Sequence, residues 1–250
     1  MPRRSFETRQ KQTGSKGYPL RMGQLLGPYS IGSIYPCDAN TTIMIAGLDA
    51  FDTSKMNRVQ DSRLERYIGV NQLFAPPANE GAGSGYVPAI RFPNWLYCPR
   101  CGRMRYVQPN DTSNAIYCDN PACQAKTKHK TKLVPERFVV VCPRGHIDSF
   151  PVMQWVHGGE DHDPGDPNHV ITRRTCGGST TMGDIVYTCS CGAKRSLAGA
   201  TQHGGLNRIG YHCTRREPWL DRVSSTPCDS TNEDLRVVIM GATNVSYADT

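Results

Sequence analysis

No run in this sequence approaches the ~20 apolar residues that a membrane-spanning helix needs. Its longest apolar stretches, around Ile43–Ala46 and Phe138–Val141, have the length of strands. The first residues, MPRRSFETRQKQTGSKG, are charged and lack an apolar centre, so they do not read as an export signal. There is no Gly-x-x-x-x-Gly-Lys-Ser/Thr loop for nucleotide phosphates, no His-Glu-x-x-His pair and no Gly-x-Ser-x-Gly turn. ATP hydrolysis and zinc-protease chemistry are therefore not expected, and no solenoid-type repeat is present. Apolar residues make up 38%, below the roughly 45–50% of ordinary globular chains. With 24 glycines and 18 prolines, that scarcity predicts short strands and turns instead of a long helical bundle.

Basic charge and cysteine are plentiful. The net charge is +7, and residues 1–25 hold six Lys/Arg against one Glu. Stretches 100–137 and 171–222 each carry eight basic residues against three acidic ones, while 148–166 has five acidic residues and no Lys or Arg. Such a basic surface favours a polyanionic partner through long-range attraction and counterion release; a solvated basic face is the competing reading. Eleven cysteines in a chain without an export signal read as metal ligands before disulfides, because the cytosol keeps thiols reduced. The expectation is a cytoplasmic protein.

Composition divides the chain into a flexible basic arm (1–20), an N-terminal globular part (21–90), a zinc ribbon (91–135) and a second zinc-stabilised, β-rich lobe (136–250). Residues 76–86 read as a linker and 158–169 as an exposed loop. Helix is expected within Arg63–Leu73, and strands at Phe138–Cys142, Ile185–Cys189 and Leu235–Met240. The fold class is α+β, strand-rich and irregular.

The ribbon rests on Cys98-Pro-Arg-Cys101, followed after sixteen residues that begin with Gly102 by Cys118-Asp-Asn-Pro-Ala-Cys123. Two such turns can set four thiolates around one Zn²⁺ at about 2.3 Å each. The second set expected is Cys189-Ser-Cys191 with Cys213 and Cys228, which lie near Pro218 and Pro227; buried, non-ligating single cysteines are the alternative. Two structural zinc ions follow from this grouping. Cys142-Pro-Arg-Gly-His146 also has ligand spacing, and His157 or Cys176 is able to complete it, but a strand-ending turn with a hydrogen-bonded histidine accounts for it equally well. Cys37 stands alone and reads as a core thiol.

All-thiolate sets leave no open coordination position, so no catalytic centre is expected. A metal-dependent nuclease using the acidic loop of Glu160, Asp161, His162 and Asp163 is a rival, and a protein-interaction scaffold without nucleic-acid contact is another. Lys126, Lys128, Lys130 and Lys132 alternate, which on an extended strand places them on one side. With Arg100, Arg103 and Arg105 they form the expected nucleic-acid contacts, and Tyr97, Tyr106 and Tyr117 are possible stacking platforms or simply cover the ribbon core.

Several segments, in order from Gly27 to Tyr247, resemble the DrmB family of the bacterial DISARM anti-phage system. They are GPYSIGSIYP, TTIMIAGLDAF, ERYIGVNQLFAPP, VPAIRFPNWLYCPRCGRM, FVVVCPRGHIDSFPVMQWVH, CSCGAKRSLAGA, CTRREPWL with a later PC, and LRVVIMGATNVSY. The resemblance implies a non-catalytic partner of a helicase-like ATPase (DrmA-like) in a complex that engages phage DNA. The family's metal-binding cysteines map onto Cys98, Cys101, Cys118 and Cys123, and onto Cys189, Cys191, Cys213 and Cys228. Residues 216–219 and 247–249 depart from the family's pattern, and its members continue past the GATNVSY segment, so a short form or a piece of a longer protein is expected.

Overall fold

The computed structural model describes residues 20–77, 86–126, 129–176, 181–230 and 234–241. The expected basic arm, but for its last residue, lies outside these, as do most of the 76–86 linker and Lys128.

Within the described residues four three-stranded antiparallel sheets carry the architecture. The first joins β1 (Ile34–Asp38), β2 (Thr41–Ile45) and β3 (Ala89–Arg91) in that order. The second has β4 (Trp95–Tyr97) between β5 (Met104–Tyr106) and β6 (Val134–Pro135). In the third, β7 (Phe138–Val141) lies between β8 (Ile147–Ser149) and β12 (Arg236–Ile239); the fourth is β9 (Ile171–Thr175), β10 (Ile185–Cys189) and β11 (Lys194–Ser196). Helices are short, Ser62–Ile68 being seven residues, so the chain is strand-rich α+β. Asp61 caps that helix by accepting from the Arg63 and Leu64 amides, and Gly69 ends it in the left-handed region. Among the described residues no helix is long and apolar enough to cross a membrane.

β7 is apolar throughout because both its faces are covered. Phe138 and Val140 face the main core with Phe150, Trp155, Tyr187 and Leu197. Val139 faces a second core, where it meets Met44, Ile90 and Phe92 of the N-terminal sheet. β12 repeats this alternation, Val237 in the main core and Val238 against the second. The ribbon has its own small core of Leu96, Val107, Ile116 and Leu133 beside its cysteines.

A buried charge pair locks the ribbon to the fourth sheet. Arg173 of β9 places its guanidinium 4.3 Å from the centre of the Tyr97 ring and 2.9 Å from the Glu136 carboxylate. Below it, the Arg173 amide donates to the Gly102 carbonyl at 2.8 Å.

Candidate metal centres

Three β-hairpins end in tight turns closed by a glycine, the β4–β5 turn one residue longer than the other two, and each tip carries two potential ligands. At β4–β5 the Cys98 amide donates to the Arg103 carbonyl (2.9 Å) and the Gly102 amide to the Cys98 carbonyl (2.8 Å). At β7–β8 the equivalent bonds run from Cys142 to His146 (3.1 Å) and from Gly145 to Cys142 (3.0 Å). At β10–β11 they run from Cys189 to Ala193 (2.8 Å) and from Gly192 to Cys189 (3.0 Å). Gly102, Gly145 and Gly192 all have positive φ, which closes the turn without a Cβ penalty.

A second pair of donors completes each tip, and the four ligand atoms of every set lie within 4.8 Å of one another. Tetrahedral Zn²⁺ would separate two sulfurs by about 3.8 Å, sulfur and nitrogen by about 3.6 Å and two nitrogens by about 3.4 Å, given metal–ligand distances near 2.3 and 2.0–2.1 Å. The observed separations follow these edges.

In the ribbon set Cys98 and Cys123 sulfurs are 3.8 Å apart, and those of Cys101 and Cys118 are 3.6 Å apart. Cys123 is delivered by the helical turn Pro121–Gln124, capped by Asn120, whose Oδ1 accepts from the Ala122 amide at 3.1 Å. The structure thus brings together Cys98, Cys101, Cys118 and Cys123, as the spacing predicts.

The second set is Cys142, His146, Cys213 and Cys228. His146 Nδ1 lies 3.3 Å from the Cys142 sulfur and 3.5 Å from that of Cys213, and the Cys142 and Cys228 sulfurs are 4.0 Å apart. The two remote cysteines are held to the hairpin by their neighbours. Thr214 donates to the buried Asp148 carboxylate at 2.9 Å, and Arg144 grips Asp229 through two guanidinium nitrogens. The Ser230 hydroxyl pulls the Cys228 thiol down to about 6, which favours the thiolate form that binds metal.

The third set is His157, His169, Cys189 and Cys191. The separations are 3.4 Å from Cys191 sulfur to His157 Nε2, 3.6 Å from Cys189 sulfur to His169 Nδ1, and 3.3 Å between the two ring nitrogens. His157 caps the helix Val152–Val156, which Trp155 fixes to β11 by donating to the Ser196 carbonyl at 3.1 Å. His157 Nδ1 donates to the Met153 carbonyl at 2.8 Å, leaving Nε2 free to ligate. Ser190, between the two cysteines, stitches His169 into place. Its hydroxyl donates to the Asn168 carbonyl (2.7 Å) and accepts from the Val170 amide (2.9 Å).

The expected set of Cys189, Cys191, Cys213 and Cys228 is therefore divided between two centres, and two ions give way to three groups. The cause is local stitching. Ser190 hands His169 to the β10–β11 tip, while Asp148 and Arg144 hold Cys213 and Cys228 at the β7–β8 tip. His157 joins the third set and not the second, and exposed Cys176 joins none. The half-buried thiol of Cys37 also joins none, and burial pushes it up to about 12. His169 escaped the sequence reading; the signal was the recurrence of histidine at 157, 162 and 169 in an otherwise polar loop. Glu160, Asp161 and Asp163 belong to none of the three groups, and Asp163 accepts from the Gly165 amide at 2.8 Å.

The expected nucleic-acid residues disperse. Arg100, Arg105, Lys126, Lys130 and Lys132 are exposed, whereas Arg103 is paired with Asp119 at 2.7 Å. The lysines do not share a strand: Lys126 sits in the turn after Pro121–Gln124, and Lys132 forms a single bridge opposite Tyr117. Tyr97 is covered by Arg173, and Tyr106 meets Trp95 edge-on at 5.5 Å, so neither presents a free ring.

The chain is 25% identical over 210 residues to the DISARM protein DrmB of Bacillus paralicheniformis. The match covers 83% of this chain and 35% of that protein, so the chain spans about a third of the relative's length. A family model described as Domain of unknown function (DUF8724) matches residues 21–247, and the chain belongs to that family.

Proposed function

We propose that this chain is a zinc-stapled accessory subunit of a DISARM-type anti-phage system, without a catalytic centre of its own, which partners a helicase-like ATPase and helps it engage DNA. The observation that carries the reading is the construction of the three four-donor sets in a relative of a DISARM protein. Cysteine and histidine donors at tetrahedral spacing suit Zn²⁺, and four protein ligands leave no position for substrate or attacking water. Metal would then serve shape. The helix Ser62–Ile68 supports a partner: Tyr67 is 87% exposed, with Leu64, Ile68, Val59 and Val70 also exposed along the same segment. Apolar surface of this kind fits a subunit contact.

Metal analysis of the purified chain should return three zinc equivalents, and co-expression with the ATPase subunit should yield a complex that Tyr67→Glu disrupts. Zinc-free folded protein, or no association in either form, would overturn the proposal. Mg²⁺-dependent cleavage of DNA, lost on Asp161→Ala and Asp163→Ala, would install the nuclease reading in its place.

A further inference from the structure

Between the ribbon and β9 lies a cleft of about 810 Å³ walled by the Cys98–Gly102 turn, the segment from Asn120 to Lys126, and Thr172–Thr175. Among the described residues four basic ones line it and no carboxylate does. One of the four, Arg173, turns inward to Glu136 and Tyr97. Arg100, Lys126 and Arg174 are exposed and form no ion pair among the described residues. Beside them stand neutral hydrogen-bonding groups: the Asn120 amide and the Thr172 and Thr175 hydroxyls. The walls cannot splay easily, because Arg173 bonds the Gly102 carbonyl and Arg103 bridges Thr172.

We infer that this cleft binds the phosphodiester backbone of a nucleic-acid strand, an inference that rests on the DNA-engaging reading above and assigns it a place. Cations and neutral donors without a free aromatic face are the equipment for phosphate and sugar contact, not for stacking on or reading bases. Among the described residues the one tyrosine lining the cleft, Tyr97, is already covered by a guanidinium. Binding is therefore sequence-independent and salt-dependent. Cys98, Cys101 and Cys123 form part of the wall, so loading the ribbon with metal also sets the shape of the cleft.

A rival role for the same cations is to neutralise the ribbon thiolates, since four thiolates and one divalent ion carry a formal charge of −2. The two roles separate in one experiment. Fluorescence anisotropy of labelled oligothymidine, and of a duplex of equal length, is measured against salt for the full chain. It is repeated for Arg100→Gln/Lys126→Gln/Arg174→Gln and for the exposed control Arg21→Gln/Arg137→Gln/Lys194→Gln. The cleft variant should lose tenfold or more in affinity at low salt, and its slope of log affinity against log salt should flatten by about 2, as expected for two to three lost phosphate contacts. The control, with equal charge removed, should stay within about twofold.

A slope change on either oligonucleotide supports the cleft and identifies the form it takes. Equal losses in both variants, or weaker zinc retention with an unchanged slope, overturn it while leaving the DNA-engaging reading in place. No binding by the unaltered chain overturns both.

Discussion

Gly102 and Gly145 both have a left-handed φ, +77° and +80°, and each closes a hairpin tip, but their surroundings differ. A methyl group on Gly145 would meet nothing within 4 Å; on Gly102 it would overlap the Arg173 carbonyl of β9. Left-handed backbone costs a non-glycine residue ~1–2 kcal/mol, which is all that Gly145→Ala should lose. Gly102→Ala adds a backbone collision and should reach ~3 kcal/mol, near the top of the ordinary range for one substitution. Urea unfolding of the metal-loaded proteins measures the difference, and equal losses would mean that β9 does not press on the ribbon turn. The paired cysteines of two tips, Cys98 with Cys101 and Cys189 with Cys191, were legible from close spacing, whereas Cys142-Pro-Arg-Gly-His146 read equally well as a plain turn. The ribbon's completing pair, Cys118 and Cys123, was legible too, but the grouping at the other two tips was not, because single side chains distant in sequence choose it: Ser190 for His169, Asp148 for Cys213 and Arg144 for Cys228.

Among the elements, β7 was readable in full, since a strand buried on two sides must be apolar at each position, and Phe138–Val141 is. The segment after Cys118 misled the alternation of its lysines, although Asn120-Pro121 is a cap followed by the residue favoured at a helix start. No local signal announced the docking of the ribbon on the fourth sheet. Glu136 is fully buried, and burial pushes its carboxyl up against the opposing pull of Arg173. Removing one partner of a buried pair strands the other, typically at ~3–5 kcal/mol. Arg173 keeps some solvent contact, so the lower end applies. Glu136→Gln and Arg173→Met should each destabilise the protein by ~3 kcal/mol, and the double variant should fall short of their sum by ~1–3 kcal/mol, the usual coupling of residues in contact. Additive losses would show that the pair does not hold the two sheets together.

Across the described residues, small sheets and short helices leave much of the backbone in loops, and the candidate metal sets tie together segments distant in sequence at the edges of the cores. The ribbon set bridges Cys98 to Cys123, the third set His157 to Cys191, and the second set reaches from Cys142 to Cys228. Their protection from solvent is unequal. Cys98, Cys118 and Cys123 are buried in the ribbon, whereas Cys191 of the third set is exposed. A chelator acts first where a ligand can leave into water, so graded chelation should release three equivalents in sequence, the third set first and the ribbon last. Cys191→Ser should abolish the earliest phase and leave the other two where they were, with mass spectrometry of the intact protein counting the ions at each step. Each set closes its own hairpin tip with its own stitching side chains, which is the physical ground for expecting independence. Simultaneous loss of all three ions, in either protein, would mean that the body folds around its metals as one unit, and the picture of three separate staples would have to be abandoned.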